Sequence, residues 1–147
     1  RKNVVETYQI PIKQIQLIKE GNDFINDDGE LIPNEKLTLP PYKIRSYAYC
    51  TDTAYSEKIV PIIENVDLLF HEATLAKNLQ KQAKETTHST STDAATIAKK
   101  ANVKKLIIGH FSARYKDVSL LLQQAQEIFP NTFAAEDGEK YSIELSR

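Results

Sequence analysis

Apolar and polar positions alternate along the chain in short blocks, and the block lengths change near residue 45. Before it, Ile10-Pro11-Ile12-Lys13-Gln14-Ile15-Gln16-Leu17-Ile18-Lys19-Glu20-Gly21 places apolar residues at 12, 15 and 18. That spacing predicts a short helix stopped by Gly21. Phe24 to Ile32 reads as a hairpin turning on Asp28-Gly29, and Pro40-Pro41 breaks the chain. After it, strands and helices alternate. Strands are predicted over 44–50, 67–72, 105–109, 132–136 and 141–145, with Asp137-Gly138 joining the last two. Helices are predicted over 55–65 (with Pro61 a kink), 74–85, 91–101 and 117–129. Strands alternating with helices imply α/β architecture. No internal repeat or low-complexity stretch is present.

Composition narrows the class. The chain has 147 residues, 41% apolar and 27% charged, an ordinary globular balance. The net charge of −1 gives no global basic field, so any nucleic-acid contact must use a local patch. The one cysteine, Cys50, excludes an internal disulfide and suits a cytoplasmic setting. No apolar run reaches the roughly 18–20 residues of a membrane span. A start at Arg1, with no initiator Met, is expected of a piece of a longer protein.

Four predicted strand or loop ends carry ligand-type residues. In open α/β sheets, functional groups gather there. Tyr49-Cys50-Thr51-Asp52-Thr53 ends a strand in a carboxylate that either caps the next helix or bridges metal ions. Leu68-Leu69-Phe70-His71-Glu72-Ala73-Thr74 ends in His and Glu; Glu72 either bonds a helix start or orients an imidazole. Thr87-His88-Ser89-Thr90-Ser91 is a helix N-cap region that also frees His88 for acid–base work. Gly109-His110-Phe111-Ser112-Ala113-Arg114-Tyr115 delivers His110 at a strand end, where it is a structural residue or a ligand. Gly109 there leaves room for close backbone approach, and Ser112 and Arg114 suit phosphate contacts. All three histidines of the chain sit at these ends. Lys99, Lys100, Lys104 and Lys105 form a basic cluster, either a solvated helix end or an RNA contact.

Taken in order, Cys50-Thr51-Asp52-Thr53, His71-Glu72-Ala73-Thr74, His88-Ser89-Thr90 and Gly109-His110-Phe111-Ser112 resemble the C-terminal half of ribonuclease Z, the tRNA 3′-processing endonuclease of the metallo-β-lactamase superfamily. Phe129-Pro130-Asn131-Thr132 with Ala134-Ala135-Glu136-Asp137-Gly138, and the lead-in through Leu17–Gly21 to Pro40-Pro41, are similar too. The resemblance implies the C-terminal half of an αββα sandwich, with residues 1–43 a helix/hairpin lead-in and 44–147 the β/α core. It implies two zinc ions, Asp52 bridging them and His110 a terminal ligand. His88 would protonate the leaving 3′ oxygen, Glu72 would orient His88, and His71 would not be a ligand. Ser112, Arg114 and Thr90 would hold RNA phosphate. Precursor tRNA as substrate, a homodimer and a cytoplasmic location are also implied.

One departure is large. The family's His-x-His-x-Asp-His run is absent, and no His-x-His pair occurs in the chain. The chain alone is therefore expected to bind zinc weakly or not at all and to leave RNA intact. Half a sandwich is also expected to expose an apolar sheet face and to self-associate. Two other readings stay open: another metallo-β-lactamase-fold phosphodiesterase or hydrolase, and a non-catalytic half-domain binding RNA or a partner.

Overall fold

A computed structural model describes residues 2–147. The chain divides into two units, Arg1–Lys43 with Leu145–Arg147, and Ile44–Glu144. In the first, helices α1 (Lys2–Thr7), α2 (Ile12–Lys19) and α3 (Asn34–Leu37) accompany a hairpin of β1 (Phe24–Ile25) and β2 (Leu31–Ile32). Its core is Val4, Ile10, Ile18, Phe24, Ile32 and Leu37. The expected stripe on α2 is only partly buried: Ile18 is inside, while Ile12 is 87% exposed. In the hairpin, Gly29 takes a φ of +81° that only glycine adopts without strain, and Asn26 Oδ1 accepts from the Asp28 and Glu30 amides.

The second unit is a four-stranded sheet of β3 (Tyr47–Cys50), β4 (Leu68–Glu72), β5 (Leu106–Gly109) and β6 (Thr132–Ala134), parallel throughout and ordered β3-β4-β5-β6. Sequential parallel strands joined by crossovers of one hand place the connecting helices on one face. Helices α5 (Ser91–Lys100) and α6 (Ser119–Gln126) pack there over Leu69, Leu106 and Ile108, with Ala94, Ala95, Ile97, Ala98 and Ala125. The run of alanines on α5 lets it approach the sheet closely. A capping box starts α5: the Thr90 hydroxyl accepts from the Asp93 amide, and Asp93 accepts from the Thr90 amide.

The other face carries Tyr47, Tyr49, Phe70, Ile107 and Phe133. Tyr47 is 56% exposed, Tyr49 60% and Phe133 46%. Tyr49 stacks on Phe70 with centroids 4.6 Å apart. Tyr141 and Ile143 reach this face and line a cavity of about 380 Å³ with Tyr47, Leu68, Phe70, Ile107 and Ala135. The apolar sheet face expected from the sequence is therefore present, with part of the C-terminal segment against it.

Several predicted elements differ. The helix expected over 55–65 is only a 3-10 turn at Glu57–Ile59, because Pro61 lacks an N–H and Asn65 takes a φ of +60°. The helix expected from Thr74 begins at Gln80 as α4 (Gln80–Glu85), after a 3-10 turn at Lys77–Leu79. Residues before it run extended, and Leu75 bridges Thr90 instead. No strand forms over 141–145; Tyr141 there donates its hydroxyl to the Ala134 carbonyl.

Gly109 proves to make room for a side chain. A Cβ at this position would lie 2.7 Å from two atoms of the Phe70 ring and 3.2 Å from Ala135 Cβ. That ring is held beneath Tyr49 and cannot yield freely. Gly109→Ala is expected to destabilise by about 1–3 kcal/mol, measured by denaturant unfolding.

Candidate metal centre

The strand ends of the sheet bring the polar motifs to one edge. β3 ends just before Asp52, β4 ends at Glu72, and β5 ends just before His110. Asp52 and His110 both turn out of their strands in the left-handed region, with φ of +49° and +58°. Asp and His tolerate that conformation better than most residues, yet each pays a backbone cost, and such costs concentrate at functional sites. The turns aim the two side chains at each other: His110 Nε2 lies 3.7 Å from Asp52 Oδ1. His88 comes from the loop before α5, after Thr87 at a φ of +58°. Its ring centroid is 5.4 Å from that of His110. Asp52, His88 and His110 thus offer ligand atoms that all lie within 4.8 Å of one another.

Glu72 organises this cluster from beneath. It is fully buried and accepts from the Thr53 amide at 2.6 Å, the Thr74 hydroxyl at 2.6 Å, the Ser89 amide at 3.0 Å and His88 Nδ1 at 3.0 Å. Burial pushes its carboxyl pKa up, but these donors outweigh it and hold the pKa below the ordinary value. The carboxylate is therefore charged and can only accept. In its neutral form His88 must then carry its proton on Nδ1 and leave Nε2 bare. The Ser89 hydroxyl donates to the Thr53 carbonyl, tying the two loops together.

A divalent ion fits part of this donor set. Two oxygen or nitrogen ligands about 2.0 Å from a tetrahedral ion lie roughly 3.3 Å apart. Asp52 and His110 are close to that spacing, and a carboxylate with a neutral imidazole is ordinary zinc chemistry. His88 completes the group within 4.8 Å, but its Nδ1 is held by Glu72 at 3.0 Å. That suits His88 to work beside the ion.

The other expected site residues divide. Ser112 and Arg114 lie just past His110, where Arg114 Nε donates to Ser112 Oγ at 3.2 Å and a terminal guanidinium nitrogen donates to Gln82 at 3.2 Å. Arg114 is exposed and keeps further donors. Thr90 is a correction: it is fully buried, and its hydroxyl is committed to the capping box and Gln80, so it offers nothing to a phosphate. His71 lies outside the cluster. It is buried on the helix-covered face, donates Nδ1–H to the Glu72 carbonyl at 2.8 Å, and burial holds its pKa low. Its Nε2 has no protein partner. The lysine cluster is partly consumed: Lys100 pairs with Glu57 at 2.6 Å, Lys104 pairs with Asp67, and Lys105 lies over the Phe133 ring. Thr74, which sequence reading left without a role, bonds both Glu72 and His110; its hydroxyl two residues after a strand-end Glu was the available signal.

A parallel sheet with helices on one face, and carboxylate and imidazole groups at the carboxyl ends of its strands, is metallo-β-lactamase architecture. In keeping with this, the metallo-β-lactamase fold protein YhfI of Bacillus subtilis superposes with a TM-score of 0.54 at 26% identity, over 58% of this chain and 34% of that one. The chain is a relative of ribonuclease Z: the ribonuclease Z of Phocaeicola vulgatus is 51% identical over 144 residues, covering 98% of this chain and 47% of that protein. That of Porphyromonas gingivalis is also 51% identical over 144 residues with the same coverage. The chain thus spans about half the length of the curated relatives it matches. No protein-family model matches it.

Proposed function

We propose that this chain supplies the Asp52–His110 side of a zinc site in an endoribonuclease that removes the 3′ trailer from precursor tRNA. The observation that carries the proposal is the convergence of Asp52, His88 and His110 above one buried, charged Glu72, in a relative of ribonuclease Z. Bound there, zinc lowers the pKa of a water and neutralises charge on the phosphate. His88, held through Nδ1, gives the leaving 3′ oxygen a proton from Nε2 in its imidazolium form, which the Glu72 carboxylate stabilises. Arg114 and Ser112 anchor an adjoining phosphate. Thr90 takes no part.

The missing His-x-His-x-Asp-His run leaves two groups at one-ion spacing, so the chain by itself binds zinc weakly and is inactive. The test of substrate class offers the gene product at its natural length a precursor tRNA and a small phosphodiester. Single cleavage of the precursor at the mature 3′ end supports the proposal; hydrolysis of the small ester alone contradicts it.

We further propose that the protein is cytoplasmic and works as a homodimer, and that this chain alone self-associates through its open aromatic face. No helix among the described residues is long and apolar enough to cross a membrane. Light scattering on the chain is expected to show dimers or larger species, and Tyr49→Lys with Phe133→Lys to shift them toward monomer. A monomer before substitution contradicts this.

A further inference from the structure

Thr74 sits between the buried carboxylate and the imidazole that faces Asp52. Its Oγ1 is 2.6 Å from Glu72 Oε2, 2.9 Å from His110 Nδ1 and 3.0 Å from the His110 carbonyl oxygen. A hydroxyl has one proton to give. The carboxylate is charged, acceptor-only and nearest, so the proton goes to Glu72. Toward His110 the hydroxyl can then only accept, and Nδ1 must carry the hydrogen.

We infer that Thr74 is a positioning residue that fixes His110 as the Nδ1–H tautomer and so bares Nε2 toward Asp52. This rests on the reading of Asp52 and His110 as metal ligands only for its consequence, since the tautomer itself follows from the hydrogen bonds. Glu72 thereby sets both imidazoles, His88 by direct contact and His110 through one hydroxyl. In the neutral form both rings carry the proton on Nδ1. Free imidazole side chains favour the opposite tautomer, so the hydroxyl reverses the ordinary preference. A partner on the far nitrogen that fixes ring and tautomer is what a metal-binding histidine needs.

The test is long-range ¹⁵N–¹H NMR of the histidine rings in the chain, at a pH where they are neutral, with zinc titrated as the probe. His110 is expected to show a protonated Nδ1 and a bare Nε2. Thr74→Val removes the hydroxyl at nearly constant shape. It is expected to move His110 toward the Nε2–H form, to leave His88 as it was, and to weaken zinc binding about tenfold. Thr74→Ser is expected to restore both, which separates the effect from a general loss of folding. An Nε2–H form of His110 in the unaltered chain overturns the inference, as does an unchanged tautomer in Thr74→Val. If the tautomer behaves as inferred but zinc at millimolar concentration perturbs neither Asp52 nor His110 in the gene product at natural length, the tautomer inference stands and the metal reading fails.

Discussion

Replacing Glu72 by Gln lowers the unfolding free energy by about 2–4 kcal/mol, the expected cost of disturbing a buried charge with four donors. Gln has nearly the same shape, so packing is not the cause. Its amide NH₂ must replace one oxygen. On the Oε1 side it meets the Thr53 N–H; on the Oε2 side it meets the Ser89 N–H and the Thr74 hydroxyl. Either placement sets donor against donor in a site without solvent. Denaturant unfolding of the chain reads the loss. The pH dependence carries the same sign. The folded-state pKa of Glu72 is lowered, so its contribution is complete above the ordinary carboxylate value and fades as pH falls through the folded value. In Glu72→Gln that part of the acid dependence disappears. A variant as stable as the parent would mean that the carboxylate is not the hub of the loops.

Removing Asp52 acts in the opposite sense on stability and far more on activity. Asp52 is exposed and holds a left-handed φ. Asp52→Gly therefore leaves stability unchanged or raises it by up to about 1 kcal/mol, because glycine accepts that conformation freely. In the gene product at natural length, cleavage of precursor tRNA is expected to fall by about three orders of magnitude, which corresponds to about 4 kcal/mol of transition-state stabilisation. His110→Ala is expected to match it. Unfolding curves and single-turnover cleavage on the same samples check both halves. Loss of stability together with activity would make Asp52 a structural residue.

Much of this was legible in the chain. The apolar runs at Leu68–Phe70 and Leu106–Ile108 announced strands, and the ligand-type residues just beyond them announced the edge of the sheet. Asp52, His88, His110 and Glu72 stood out as candidates because each motif ended a strand or opened a helix, and their roles came from the resemblance. What was not legible arose from tertiary context. Periodicity alone extended helices through Pro61 and back to Thr74, where the backbone instead spends its hydrogen bonds on bridging Thr90 and Ser112. Thr90 belonged to a motif that suggested phosphate contact, but the capping box that motif also predicts consumes its hydroxyl. Thr74 was missed because its importance lies in two partners 2 and 36 residues away, which spacing does not reveal. Gly109 was singled out for close approach, but the partner is the Phe70 ring of the neighbouring strand.

The most direct test of the metal centre is cleavage of a precursor tRNA by the gene product at natural length, stripped with a chelator and then resupplied with zinc. The account predicts that stripping stops cleavage, that zinc restores it in the parent protein, and that zinc restores nothing in Asp52→Gly. Cleavage that survives the chelator, or that returns with zinc in Asp52→Gly, would contradict it.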